Sequence, residues 1–185
     1  RDHDGSCHYK SKFLGQINNI RLGLKGDHQL DNAALAITAC KIINENRIND
    51  DSIRIGLLRA LWPGRIEHIM ETPCVILDGA HNPESAERLG EYLRSLGRDR
   101  KIWLITGMMK DKDHDLTLRP LINICDRIIT TRSASQRSEN PNVLRAFIKS
   151  ISDRDAISIP DIPEAIDFAL KSAAPSDIVC ITGSL

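Results

Sequence analysis

Val75-Ile76-Leu77-Asp78-Gly79-Ala80-His81-Asn82-Pro83 is the stretch on which the reading of this chain turns. An apolar run from Cys74 to Leu77 passes directly into Asp78. Such a run, short and without alternation, suits a strand buried on both faces. Gly79 and Ala80 allow a tight turn, Asn82 is a favoured helix cap, and Pro83 is favoured at the first helical position. The stretch predicts strand, turn and helix. On a parallel sheet, ligands sit outside the carboxyl ends of the strands, and Asp78 and His81 fall there. A helix N-terminus offers N–H groups to an anion. A carboxylate can accept bonds from ribose hydroxyls, and an imidazole can bond a phosphate or carboxylate. The same geometry also suits a capped turn whose polar residues satisfy only local backbone.

Outward from this stretch, strand and helix patterns alternate. Strands are predicted at 65–71, 74–77, 102–106, 127–130, 156–159 and 178–181, and helices at 83–96, 116–123, 141–150 and 162–173. This alternation predicts an α/β fold, a mostly parallel sheet with flanking helices. Upstream, Trp62-Pro63-Gly64 breaks the pattern and marks a boundary. Before it, Leu30, Ala33, Ala34, Ile37, Cys40, Lys41 and Ile43 approximate a helical stripe and predict a helix over 27–46 with Asp27 as its cap. A second helix is predicted over 51–60 and a short strand over 20–24. Residues 1–12 are polar and show neither pattern. They read as the cut edge of a longer protein, or as a loop at that edge.

The 185 residues fit one ordinary domain, or one domain plus a piece of another. Lys+Arg and Asp+Glu each number 25, so the net charge is zero and there is no general attraction to nucleic acid or an acidic membrane surface. No apolar run approaches the length of a membrane-spanning helix. The 5 cysteines are widely spaced and form no CxxC pair, which favours reduced thiols in the cytoplasm. Cys74 and Cys180 lie in apolar runs and read as small buried hydrophobes.

Further candidate residues follow from their chemistry. Arg65, just past the Trp-Pro-Gly break, carries a planar fork suited to phosphate; it also reads as a surface Arg in a linker. Asn32, near a helix start, has an amide that can read a purine edge or serve as a solvated or capping group. The run Gly107-Met108-Met109-Lys110-Asp111-Lys112-Asp113 follows a predicted strand and could touch an acidic substrate or form a solvated loop. Ser184, after the last predicted strand, could bond a ligand carboxylate or close a turn.

Taken together, His28-Gln29-x-x-Asn32-Ala33-Ala34, Trp62-Pro63-Gly64-Arg65, Asp78-Gly79-Ala80-His81-Asn82-Pro83, the Lys-Asp run at 110–113 and the terminal Gly183-Ser184-Leu185 resemble the folylpolyglutamate synthase and dihydrofolate synthase family of the Mur ligase superfamily. The motifs stand in the family's order, and the resemblance spans residue 13 to the end. It implies that residues 1–62 are the tail of a central ATPase domain and 63–185 a Rossmann-like glutamate-ligase domain, with ATP in the cleft between them. Enzymes of this family use Mg-ATP to convert a carboxylate into an acyl phosphate, which the amino group of L-glutamate attacks. By resemblance Asn32 contacts adenine, Arg65 reaches the ATP phosphates, Asp78 bonds the ribose hydroxyls, catalytic His81 lies near the reacting phosphate, and Ser184 belongs to the amino-acid site. The acceptor is dihydropteroate or a tetrahydrofolate (poly)glutamate, and the enzymes are usually monomers. The Gly-Lys-Ser/Thr phosphate loop is absent from this sequence, and the family's Mg2+ ligands are implied to lie outside it. This stretch alone is therefore not expected to turn over. A cell-wall amino-acid ligase of the same superfamily and a non-catalytic nucleotide-binding domain are the competing readings.

Overall fold

The computed structural model describes residues 5–43, 48–97 and 99–184. The chain divides into two compact units, Arg1–Pro63 and Gly64–Leu185.

In the first unit, β1 (Cys7–Ser11) and β2 (Gly15–Ile20) form an antiparallel pair, followed by α1 (His28–Ile43) and α2 (Asp50–Arg59). Tyr9, Ile17, Ile20, Ile37 and Ile53 make its small core. The strand expected at 20–24 lies earlier, ending at Ile20, and the polar start contains β1. Both strands were obscured by composition: in CHYKS only Tyr9 is buried, and in GQINNI only Ile17 and Ile20. A one-sided strand with so few apolar positions leaves little periodic signal. The helix predicted over 27–46 is α1 as far as Ile43; positions 44–46 lie outside the described residues. The α1 helix is apolar on more than one side. Ala33 and Ile37 face the core, while Leu35, Ile42 and Ile43 are exposed. Asn49 caps α2 by accepting from Ser52 N–H, and the Ser52 hydroxyl returns to Asn49 N–H.

The second unit is built on a six-stranded sheet in the order β3-β4-β8-β5-β6-β7. Its elements are β3 (Glu67–Met70), β4 (Cys74–Asp78), α3 (Pro83–Ser95), β5 (Ile102–Gly107), α4 (His114–Ile122), β6 (Arg127–Thr130), α5 (Pro141–Ile151), β7 (Ala156–Ser158), α6 (Ile162–Ser172) and β8 (Ile178–Gly183). Only β3 runs antiparallel; the other pairings are parallel. Three crossovers advance along the sheet and the last returns to seat β8 between β4 and β5. A uniform crossover hand then puts the returning helix on the opposite face, and the core residues divide in that way. Ile76, Cys180, Leu104, Ile128 and Ala156 pack with residues of α3, α4 and α5. Val75, Val179, Trp103, Ile105, Ile129 and Ile181 pack with Ala165 and Ala169 of α6. Strands covered on both faces explain the uninterrupted apolar runs.

The amino edge of the sheet is held by structural polar contacts. Asp177, buried, accepts from Trp103 Nε1 at 3.2 Å and from Ala174 N–H at 2.9 Å through Oδ2. Asp126 Oδ2 accepts from Ile102 N–H at 2.9 Å. No helix among the described residues is long and apolar enough to cross a membrane.

Cys74, Cys125 and Cys180 are buried in the core beneath α3, α4 and α5. Burial pushes the Cys125 thiol far above its ordinary value. Burial does the same to Cys180, with Cys125 and Asp78 adding to it. Both thiols are therefore protonated and poor nucleophiles near neutral pH. In the folded protein these three cysteines are predicted to resist a thiol-specific alkylating reagent and to react fully only in denaturant. Mass mapping of labelled peptides checks this.

Candidate functional site

The carboxyl edge of the sheet differs in kind from the amino edge. Register pairing aligns Asp78 with Thr182, Thr182 with Thr106, Thr106 with Thr130, and Thr130 with Ser158. Every parallel strand thus places an oxygen-bearing side chain in one row, on the face covered by α3, α4 and α5. Thr182 Oγ1 donates to Ala80 O at 3.3 Å, and Thr130 Oγ1 donates to Pro141 O at 2.9 Å. Among the described residues, the buried hydroxyls of Thr106 and Ser158 find no partner. This row escaped the sequence reading because each member is a single polar residue closing an apolar run. The common signal, an Asp, Thr or Ser at each strand end, emerges only once the strands are aligned.

Asp78 ends β4 and is half-buried. Its Oδ1 accepts from Ala80 N–H and its Oδ2 from Ile66 N–H, each at 2.8 Å. Gly79 N–H donates to Gly64 O at 2.7 Å, which ties the turn to the segment bearing Arg65. His81 is exposed, and its Nδ1 stands 2.9 Å from Gly79 O. A carbonyl only accepts, so this nitrogen carries the proton. Nε2 is then the acceptor of the neutral ring.

The N-terminus of α3 departs from the expectation in one respect. Asn82 Oδ1 accepts from Ser85 N–H at 2.9 Å, and Ser85 Oγ accepts from His81 N–H at 3.2 Å and Asn82 N–H at 3.3 Å. These donors, which the sequence offered to an anion, are satisfied locally by the cap. Those N–H groups are therefore not on offer to an anion at this turn.

Gly107 and Gly183 pair at the ends of β5 and β8, and Ser184 N–H donates to Gly107 O at 2.8 Å. Ser184 is half-buried and sits two residues past Thr182, the register partner of Asp78. The Lys-Asp run that follows β5 is stitched to the segment after β6. Lys110 N–H donates to Arg137 O at 2.9 Å, Lys110 Nζ to Gln136 O at 3.2 Å, and Glu139 N–H to Met108 O at 2.8 Å. The Arg137 guanidinium donates to Asp111 Oδ2 at 2.8 Å and holds that carboxyl below its ordinary range. Asp113 caps α4 by accepting from Leu116 N–H at 2.9 Å. Part of the charge in this run is thus spent on structure, and Arg137 was not picked out from the sequence.

Asn32 lies in the first unit, exposed on α1, where its Nδ2 donates to Gln29 Oε1 at 2.9 Å. Its carbonyl oxygen and second N–H retain the pairing capacity a purine edge requires. Among the described residues, no group of three or more His, Cys, Asp or Glu side chains is arranged to hold a metal ion.

Asp78, His81, Arg65 and the end of β8 therefore belong to one edge of an α/β unit whose boundary is Gly64. The sequence pattern of the Mur ligase, glutamate ligase domain, covers residues 64–185. The chain belongs to the Mur ligase family. The dihydrofolate synthase/folylpolyglutamate synthase of Bacillus subtilis is 34% identical over 90% of this chain and 39% of its own length. Among solved structures, Escherichia coli FolC in complex with DHPP and ADP superposes with a TM-score of 0.85 at 28% identity, over 95% of this chain and 41% of that one. A bifunctional folylpolyglutamate synthase/dihydrofolate synthase with Mn, AMPPNP and L-glutamate bound gives a TM-score of 0.84 at 28% identity, over 96% of this chain and 41% of that one. The chain thus spans roughly two fifths of the length of these relatives.

Gly183 carries a sharp steric demand in this Mur ligase domain. Its φ is +111°, and an added Cβ would lie 2.1 Å from Gly107 O and 3.1 Å from Thr106 Oγ1. Gly97, just past α3, has the same φ of +111° but nothing within 4 Å of the added carbon. Gly97→Ala is predicted to cost about 1 kcal/mol, the backbone penalty alone, and Gly183→Ala about 3 kcal/mol, because overpacking adds to it. Urea unfolding of the two variants measures the difference.

Proposed function

We propose that this chain is the carboxyl-terminal part of an ATP-dependent ligase that joins L-glutamate to the carboxylate of a pteroate or folate. Residues 1–62 serve as the tail of its ATPase domain and 63–185 as its glutamate-ligase domain. The observation that carries this reading is the Asp78–Pro83 turn at the carboxyl edge of β4, with its carboxylate and imidazole held in place by backbone contacts. The length of chain matched in the folylpolyglutamate and dihydrofolate synthases supports it.

ATP, when bound, supplies the phosphoryl group that activates the substrate carboxylate. Asp78 accepts from the ribose hydroxyls. Asn32 pairs with the adenine edge. Arg65 bonds phosphate oxygens as a charged fork, which suits developing charge during phosphoryl transfer. His81, its orientation fixed through Nδ1, presents Nε2 to the reacting phosphate. Ser184 contributes its hydroxyl to the glutamate site. Mg2+ belongs with the nucleotide phosphates, and its protein ligands are assigned to the part of the ligase outside this chain. Dihydropteroate and tetrahydrofolate (poly)glutamates are the acceptors, the working form is a monomer, and the reaction belongs in the cytoplasm. The N–H groups of the α3 cap and the acidic residues of the Lys-Asp run take no part in this scheme.

Phosphate release by the complete ligase, with Mg-ATP and glutamate, tests the proposal. Turnover is expected with dihydropteroate or tetrahydrofolate offered as acceptor. Turnover only with a muramyl-peptide precursor would move the protein to cell-wall synthesis, and turnover with none would mark a non-catalytic nucleotide-binding domain. His81→Ala is predicted to lower kcat by about a hundredfold while leaving the melting temperature nearly unchanged, because the side chain is exposed.

A further inference from the structure

We propose that Glu67 is a positioning residue for Arg65, acting through the backbone of Gly64. This rests on the nucleotide-binding reading of Arg65.

Arg65 stands between two residues in the left-handed region. Gly64 has φ +69° and Ile66 has φ +46°. For a β-branched residue such as Ile66 that conformation is strained and persists only where its surroundings over-determine it. The restraints are specific. The Ile66 side chain is 2% exposed, packed in the core beneath α3. Ile66 N–H donates to Asp78 Oδ2 at 2.8 Å. Gly64 O accepts from Gly79 N–H at 2.7 Å. Gly64 N–H donates to Glu67 Oε2 at 2.7 Å.

Glu67 opens the edge strand β3, in register with Leu77, and its carboxylate accepts from the N–H of Gly64, three residues earlier. It is half-buried, and among the described residues it has no ion pair. A carboxylate spent on one glycine N–H, rather than on a cation, acts here as a clasp. The Asp78–Ile66 bond fixes the backbone just after Arg65, and the Glu67–Gly64 bond fixes it just before. Glycine has more accessible backbone states than any other residue, so without the clasp the backbone before Arg65 is held by the Gly64 O bond alone. Placement of a charged fork is worth much of its effect on a ligand. Glu67 therefore influences nucleotide phosphates without touching them.

A double-mutant cycle in the complete ligase tests this, read as KM for ATP, KM for glutamate and kcat. Arg65→Ala alone reports on the nucleotide reading. Glu67→Ala is expected to raise the KM for ATP roughly fivefold or more and to leave the KM for glutamate unchanged. Glu67→Gln, whose carboxamide oxygen still accepts from Gly64 N–H, is expected to stay within about twofold of wild type. In the Arg65→Ala background, Glu67→Ala is expected to add nothing. If Glu67→Ala fails to fold, Glu67→Asp, one methylene too short to reach the N–H, takes its place. Equal effects of Glu67→Ala with and without Arg65, or no effect in either, would overturn the proposal. An inert Arg65→Ala would overturn the nucleotide reading of Arg65 and this proposal with it, whereas a damaging Arg65→Ala beside an additive Glu67→Ala would overturn only the latter.

Discussion

The strand between β4 and β5 in the larger sheet is β8, the last among the described residues. β8 enters between β4 and β5 and pairs in parallel with both, from Cys74↔Ile178 to Asp78↔Thr182 on one side and from Ile102↔Ile178 to Gly107↔Gly183 on the other. β4 and β5 are joined through α3 yet never pair with each other; they meet only through β8. Both faces of the sheet then fill, with α3, α4 and α5 on one side and α6 on the other. Each buried Ile or Val on these strands contributes about 1.5–3 kcal/mol relative to exposure. The same insertion aligns the carboxyl ends. Asp78, Thr182 and Thr106 come into one row, and the Ser184 and His81 segments come to one edge. Fold and site therefore rest on one pairing.

The two edges of the sheet divide the work. At the amino edge, Asp126 and Asp177 are consumed by backbone N–H groups and an indole. At the carboxyl edge, the Thr106 and Ser158 hydroxyls of the row are buried without partners among the described residues. Buried polar groups are ordinarily paired, so these two orphans set the carboxyl edge apart from the amino edge. A further feature of this edge is that its turn is anchored to the segment bearing Arg65. Gly64, Ile66, Asp78 and Gly79 exchange hydrogen bonds in a closed set, with Glu67 completing it. Arg65 and His81 are presented from a backbone that is held on several sides.

Much of this was legible in the sequence. The runs Cys74–Leu77 and Ile178–Ile181 announce strands covered on both faces, and Asn82-Pro83 announces the start of α3; these signals are local and strong. What stayed hidden depends on long-range pairing or on exact donor assignments. The hairpin β1–β2 hides because CHYKS and GQINNI hold few apolar residues. The stripe read on α1 is true for Ala33 and Ile37 but not for Ala34 and Ile43, which are exposed, because apolar residues lie on several sides of that helix. The cap of α3 was foreseen, but not that Ser85 would take up the His81 and Asn82 N–H groups. Glu67 carried no signal, since nothing in its sequence neighbourhood says that it reaches back to a glycine N–H.

The central claim is that the edge built by β4, β8 and β5 serves a reaction in which phosphate activates a carboxylate before glutamate attacks it. The direct measurement is isotope transfer in the complete ligase, with an acceptor whose reacting carboxylate carries oxygen-18. Activation as an acyl phosphate requires that one labelled oxygen leave with the phosphate, so the account predicts labelled inorganic phosphate in step with amide formation. Amide formation with all of the released phosphate unlabelled would contradict it.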